Sequence, residues 1–211
     1  MDNVASLIKK YFKNRYIVSD NFEVMVDNKE TKKVKEKTMK SDNIQTNLVM
    51  LFNLKNLSEL EKNITLNCFN YLYGSGGLTS KLYKSIREEN SLCYAINSMY
   101  LKYDKLLMVQ ISLDNCNVKK AISLVKKELK SMQNGNFSEE EVRDAINNMV
   151  ISLDMSLDNN IAILNNYVFN IYDKLPSIEE RKEYFKKLTK EDIVNVSKKV
   201  KLNTIFTLEG R

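Results

Sequence analysis

Histidine is absent from all 211 residues. The chain therefore supplies neither the commonest metal ligand nor the side chain that most readily moves a proton near neutral pH. The residues left to do chemistry gather in one stretch. Gly74, Gly76 and Gly77 are three of only five glycines and stand in Tyr73-Gly74-Ser75-Gly76-Gly77-Leu78-Thr79-Ser80. A glycine cluster before a helix can aim backbone N–H groups at an anion. Phosphate loops of that kind follow a strand, whereas a helical stripe precedes Gly74, so the context predicts a tight turn between two helices. Ser75, Thr79 and Ser80 have hydroxyls but no histidine to take their protons, and they read as caps. Arg87 is followed seven residues later by Tyr94. Each has an ordinary structural use: an arginine near a helix C-terminus stabilises exposed carbonyls, and a tyrosine entering a strand packs against its neighbours.

With 43% hydrophobic and 28% charged residues, the chain can bury a core and form one or at most two soluble globular domains. Fibrous, disordered and disulfide-scaffold classes are excluded. Net charge +6 permits nucleic-acid binding, but the lysines are spread out and alternate with acids, as in Lys126-Lys127-Glu128. The concentrated run from Lys29 to Lys40 lacks interleaved aromatics for stacking and reads as a linker or exposed edge hairpin, so no nucleic-acid partner is expected. Cys68, Cys93 and Cys116 are odd in number and widely spaced. They read as reduced, buried thiols of a cytosolic protein, with no metal pair among them. No apolar run approaches the roughly 20 residues of a membrane span, and no signal peptide is evident, so a cytoplasmic location without membrane contact is expected. Heavy use of Lys, Asn and Ile points to an AT-rich bacterial genome.

The elements that must carry these residues follow from periodicity. Val4, Leu7, Ile8, Tyr11 and Phe12 predict a short amphipathic helix that looks like the tail of something larger, and Phe22, Val24 and Val26 alternate as a strand. Ile44 to Leu54 is apolar on both parities, a strand covered on both sides near its centre. Ser58 and Glu61 form a capping box for a helix bearing Leu60, Ile64, Cys68, Tyr71 and Leu72. A second helix is predicted from Leu78 to Glu89. Strands Leu92 to Tyr100 and Leu106 to Leu113 flank the turn Lys102-Tyr103-Asp104-Lys105, which predicts a hairpin. A long helix from Val118 ends at Asn134-Gly135, and Ser138 with Glu141 caps the next, where Met149, Leu153 and Met155 are expected in the core. Asp158-Asn159-Asn160 breaks it before a helix from Ile161 to Tyr172. Pro176 starts a short helix, and Thr189 with Asp192 caps the last one, which uses Ile193, Val196 and Val200. Thr204 to Leu208 closes the chain as a strand. The order predicts an α+β fold, a mainly antiparallel sheet with helices layered on it.

The string GSGGLTSKLYKSIREENSLCYAI resembles the glycine-rich turn, helix and Arg-to-Tyr segment in the C-terminal homologous domain of the insulinase/pitrilysin family of zinc metallopeptidases, the inverzincins. The upstream Gln45-Thr46-x-Leu48-x-Met50, the hairpin, the helical half and the closing Thr204 to Gly210 follow in the family's order. The resemblance implies the half-domain fold of the insulinase, pitrilysin and mitochondrial processing peptidase type over residues 41–211. Residues 1–40 would then be the last helix and linker of a preceding domain. It also implies a non-metal half that closes with a homologous, metal-bearing half or subunit around a peptide substrate. Arg87 and Tyr94 are the residues it implies for substrate contact, since a guanidinium and a phenol can donate hydrogen bonds to a peptide carbonyl and to charge developing on its oxygen. Zinc needs the H-x-x-E-H motif that this chain lacks, so the metal is expected only in the partner and no activity from this chain alone. Lys81 stands where the family often has arginine, and Ser91 and Cys93 stand where it has small residues. A different class of function, a catalytically inactive scaffold or assembly subunit with the same fold, is the alternative.

Overall fold

Strand β2 (Thr46–Leu54) begins the core, because Leu48, Met50 and Phe52 alternate along it and are fully buried. The computed structural model describes residues 2–12, 33–173 and 175–211. In it, β3 (Cys93–Leu101) and β4 (Leu106–Leu113) form the expected antiparallel hairpin. β4 pairs antiparallel with β2, β5 (Val200–Glu209) pairs antiparallel with the other side of β2, and β1 (Lys35–Lys40) adds parallel to β5. The result is a five-stranded sheet of order β1-β5-β2-β4-β3. Among the described residues β1 and β3 are its edges.

Helix α1 (Asp2–Phe12) precedes the sheet with Val4, Leu7, Ile8 and Tyr11 exposed. Helix α2 (59–75) starts from the predicted capping box, in which the Ser58 amide donates to Glu61 Oε2 at 2.7 Å and the Glu61 amide to Ser58 Oγ at 3.2 Å. Then come α3 (81–88), α4 (Val118–Gln133), α5 (Glu139–Ser156), α6 (Asn160–Asp173), α7 (Ile178–Lys186) and α8 (Lys190–Ser197). The expected capping boxes at Ser138/Glu141 and Thr189/Asp192 both form. Among the described residues no helix is long and apolar enough to cross a membrane.

Strand alternation sorts the sheet's two faces. Leu48, Met50, Phe52, Leu107, Val109, Ile111, Leu113 and Ile205 join Ile64, Phe69, Tyr73, Leu82, Ile86, Val125, Met132 and Val196 from the helices in one buried cluster. The opposite parity stays out of that cluster. Its residues line up in rows set by the register: Lys37, Phe206, Val49, Gln110 and Asn97 in one, and Lys35, Thr204, Leu51, Met108 and Met99 in the next. These are half-buried or exposed. The helices thus cover one face and leave the other open among the described residues, so β2, expected to be covered on both sides, is covered on one, with Val49 and Leu51 half-buried on the other.

Several local expectations are corrected. Val200 opens β5 instead of closing the last helix, because β5 continues the ladder with β2 as far as Leu54 opposite Val200. Ser177, not Pro176, starts α7, through a capping box with Glu180 that the sequence reading missed. Met149 and Leu153 do pack on the core, but Met155 is 66% exposed near the end of α5. Cys116 is exposed in the short turn Asn115–Asn117, while Cys68 is buried and Cys93 half-buried. Of the Lys29 to Lys40 run, the part from Lys35 to Lys40 is an exposed strand paired parallel with the chain's last strand, not a free linker. The strand expected around Phe22, Val24 and Val26 lies outside the described residues.

Candidate functional site

The glycine-rich turn joins α2 to α3, and its glycines answer steric demands. A Cβ on Gly74 would stand 2.6 Å from Ser98 Oγ and 2.8 Å from Leu82 Cδ1. Here α2 approaches edge strand β3 closely, beside the buried bond from Ser98 Oγ to Asn70 Oδ1 at 2.5 Å. A Cβ on Gly76 would meet the Tyr71 carbonyl oxygen at 2.7 Å, and Gly77 has φ +61, the left-handed region where glycine carries no strain. Thr79 Oγ1 donates to the Gly76 carbonyl at 3.0 Å and Ser80 Oγ to the Gly77 carbonyl at 2.8 Å. The hydroxyls therefore hold the turn, and the turn holds α3 in place.

Helix α3 winds widely over Tyr83–Glu88, with hydrogen bonds reaching five residues, as from the Glu89 amide to the Lys84 carbonyl at 2.9 Å. Such wide turns recur at functional sites. Arg87 lies in this turn, exposed, with its guanidinium carbon 5.2 Å from the centre of the Tyr83 ring. The chain then reverses into β3 at once. The Ser91 amide donates to the Arg87 carbonyl at 3.1 Å and the Leu92 amide to the Ile86 carbonyl at 3.0 Å. Ser91 takes φ 51 to make that reversal. Left-handed backbone suits glycine, so Ser91 bears some strain there.

Tyr94 occupies a β-bulge. Cys93 pairs with Leu113 and Ala95 with Ser112, so Tyr94 is the extra residue without a partner in the ladder. The bulge puts two successive residues, Tyr94 and Ala95, in exposed positions where strict alternation would have turned one inward. The phenol is 52% exposed and donates to Asp114 Oδ1 at 3.0 Å. That hydrogen bond and the charge of Asp114 raise the phenol's pKa, so the group stays a protonated donor over the whole physiological range. Arg87 also reaches the strand's start electrostatically. Burial raises the thiol pKa of Cys93, and the charge of Arg87 opposes it. The structure therefore brings Arg87 and Tyr94 to the same end of β3, both open to solvent.

Sequence reasoning missed Asp114 and the bulge. Asp114 was within reach, since counting back along the hairpin from Lys102-Lys105 places the residue after Leu113 beside the start of β3. The bulge left no such signal. Among the described residues no three His, Cys, Asp or Glu side chains gather to hold a metal. The donor set at this site, one cation and one phenol beside a single carboxylate, does not fit zinc.

The family model described as the peptidase M16 inactive domain matches residues 2–149. The probable inactive metalloprotease YmfF of Bacillus subtilis (strain 168) is 30% identical over 149 residues, covering 69% of this chain and 34% of that protein. The chain thus spans about a third of that relative's length. A conserved protein from Enterococcus faecalis V583 superposes with TM-score 0.79 at 24% identity, over 86% of this chain and 43% of that one. A protease from Helicobacter pylori does so with TM-score 0.77 at 14% identity, over 99% and 52%. At such identities these structures share the fold. The buried sheet-and-helix core, the glycine-rich turn and the matched stretch agree with the resemblance drawn from the sequence: the chain belongs to the family of peptidase M16 inactive domains.

Proposed function

We propose that this chain is the non-metal half of an insulinase-like zinc metallopeptidase, forming part of a chamber wall and offering Arg87 and Tyr94 to a peptide held at a zinc site on a homologous half or subunit. The observation that carries this reading is that both side chains stand exposed at one end of an edge strand. Tyr94 is aimed there by a bulge and kept protonated by Asp114. A fixed guanidinium cation and a neutral phenol there can donate to a peptide carbonyl and to negative charge on its oxygen. The open sheet face beside them supports the wall role, since its rows mix half-buried apolar residues such as Val49, Leu51 and Met108 with Gln110 and Asn97. The metal's hydrolytic chemistry would come entirely from the other half.

A second reading, a scaffold or assembly subunit that keeps the fold without handling peptide, is favoured by the description of the Bacillus subtilis relative as probably inactive. Co-expression with an M16 half that carries H-x-x-E-H separates the two. The proposed function predicts a stable complex that cleaves an unstructured peptide, while this chain with added zinc cleaves nothing. Cleavage by the chain alone that a chelator abolishes would contradict it. A stable complex whose cleavage rate equals that of the metal-bearing half by itself would favour the scaffold.

A further inference from the structure

Helix α6 does not have the composition of a solvated helix. From Asn160 to Tyr172 it carries no charged residue, in a chain where 28% of residues are charged. A surface helix normally keeps charged residues on its outer side; here only asparagines stand between the apolar ones. Of its described side chains only Ala162 and Asn166, one turn apart, are half-buried, and Asn166 Oδ1 accepts from Arg181 Nη2 of α7 at 2.8 Å. That side leans on the rest of the chain.

The opposite side is an apolar stripe in solvent. At about 100° per residue, Ile161, Leu164 and Val168 fall within about 60° of one another, with Tyr167 beside them. Ile161 is 71%, Leu164 62% and Tyr167 67% exposed. Met155 and Leu157 add to the stripe at the turn from α5, where both are exposed. Together these six side chains leave on the order of 700 Å² in water, above the few hundred Å² that a monomer commonly exposes in one apolar patch. Each partner in a standard interface contributes roughly 800 Å².

The lack of charge and the spacing of the stripe single out its occupant. The chain has net charge +6, so two copies repel wherever their basic surfaces meet and can approach at an uncharged one. A partner selected by charge has nothing to pair with there. Leu164 lies close to midway between Ile161 and Val168. When two such helices meet antiparallel about a twofold axis at Leu164, Ile161 of each copy faces Val168 of the other. We propose that α6 is the contact of a homodimer, in which the α6 helices of two copies pack antiparallel through Ile161, Leu164, Tyr167 and Val168. This surface is independent of the role given to Arg87 and Tyr94.

Sedimentation velocity of the full chain from about 1 to 200 μM tests it. A reversible dimer is expected, with a Kd in the micromolar range, as suits an apolar contact of this size. Leu164→Glu and Leu164→Lys should each raise that Kd by about tenfold or more, because each sets two like charges face to face at the axis. Mixing the two variants in equal amounts should restore dimers, since a twofold contact brings position 164 of one copy against position 164 of the other. Thermal midpoints check that the variants fold, and Ile161→Lys keeps the test open should either variant at Leu164 unfold. A chain that stays monomeric throughout the range would overturn the proposal. So would a dimer indifferent to Leu164→Glu and Ile161→Lys, or a mixture no more associated than its parts. A monomer that binds an H-x-x-E-H-bearing half, and loses that complex on Leu164→Glu, would overturn it as well; the face would then belong to the other half, and the role of Arg87 and Tyr94 would stand.

Discussion

The Gly74–Gly77 turn and the Arg87–Tyr94 connection flank the same short helix, and they meet opposite physical demands. In the turn, backbone and side chains close in until only hydrogen fits, so a Cβ on Gly74 would stand only 2.6 Å from Ser98 Oγ. In the connection, a left-handed Ser91 and a bulge at Tyr94 bend the chain so that two strong donors remain in solvent. One segment is held in shape by crowding, and the other is shaped so as to stay open. A glycine-rich string is therefore weak grounds for ligand binding until its neighbours are known. Exposed donors on a bulged edge strand are better grounds, because the fold gains little from placing them there.

That contrast can be broken by substitution, and the largest effect is expected in the turn. Gly74→Val drives two methyl groups into Ser98 and Leu82 and separates α2 from β3. A loss of about 3 kcal/mol in a urea titration is expected, and a loss under 1 kcal/mol would show that the turn is not crowded. The anchor of α2 comes next. Glu61 accepts from Lys199 Nζ at 2.6 and 2.8 Å and from the Ser58 amide. Burial pushes its carboxyl pKa up, but the bonds from Lys199 and Ser58 outweigh that and hold it below its usual value of 4.5. With the folded pKa lowered, this contribution is complete above the unfolded value and disappears as pH falls through the folded one. The advantage of wild type over Glu61→Gln should be full at neutral pH and shrink below about pH 4.5. An advantage that grows on acidification would reverse the assigned sign.

Smaller effects sharpen the other side of the comparison. Ser91→Gly relieves the left-handed backbone and should raise stability by about 0.5 kcal/mol, whereas a loss of that size would mean the serine side chain supports the reversal. Arg87→Gln and Tyr94→Phe should change stability by no more than about 0.5 kcal/mol, as expected for exposed groups. A larger loss in either would assign that residue to holding the fold.

Much of this was legible because local rules and global fold agree. Leu48, Met50 and Phe52 announce a buried strand by apolar content, and Ser58/Glu61, Ser138/Glu141 and Thr189/Asp192 announce helix starts by side chains that must satisfy backbone amides. Val200 was misread because its spacing from Ile193 and Val196 suits a helix, while the pairing that makes it a strand comes from Leu54, far away in the chain. Met155 was misread for the complementary reason: helical spacing marks a stripe but not where the covering layer ends. At the candidate site the residue types and order of Arg87 and Tyr94 were readable. The bulge and the wide turn were not, since both depend on register against β4 and on packing under α3, which no local pattern encodes.

The account rests on Arg87 and Tyr94 acting on a peptide rather than on the fold. The direct measurement is kcat/KM for peptide cleavage by the complex with an H-x-x-E-H-bearing half, comparing wild type with Arg87→Gln and Tyr94→Phe at matched thermal midpoints. Loss of a donor to developing charge should lower kcat/KM by about tenfold or more in each variant. Unchanged kcat/KM in both, with the complex intact, would contradict the assignment.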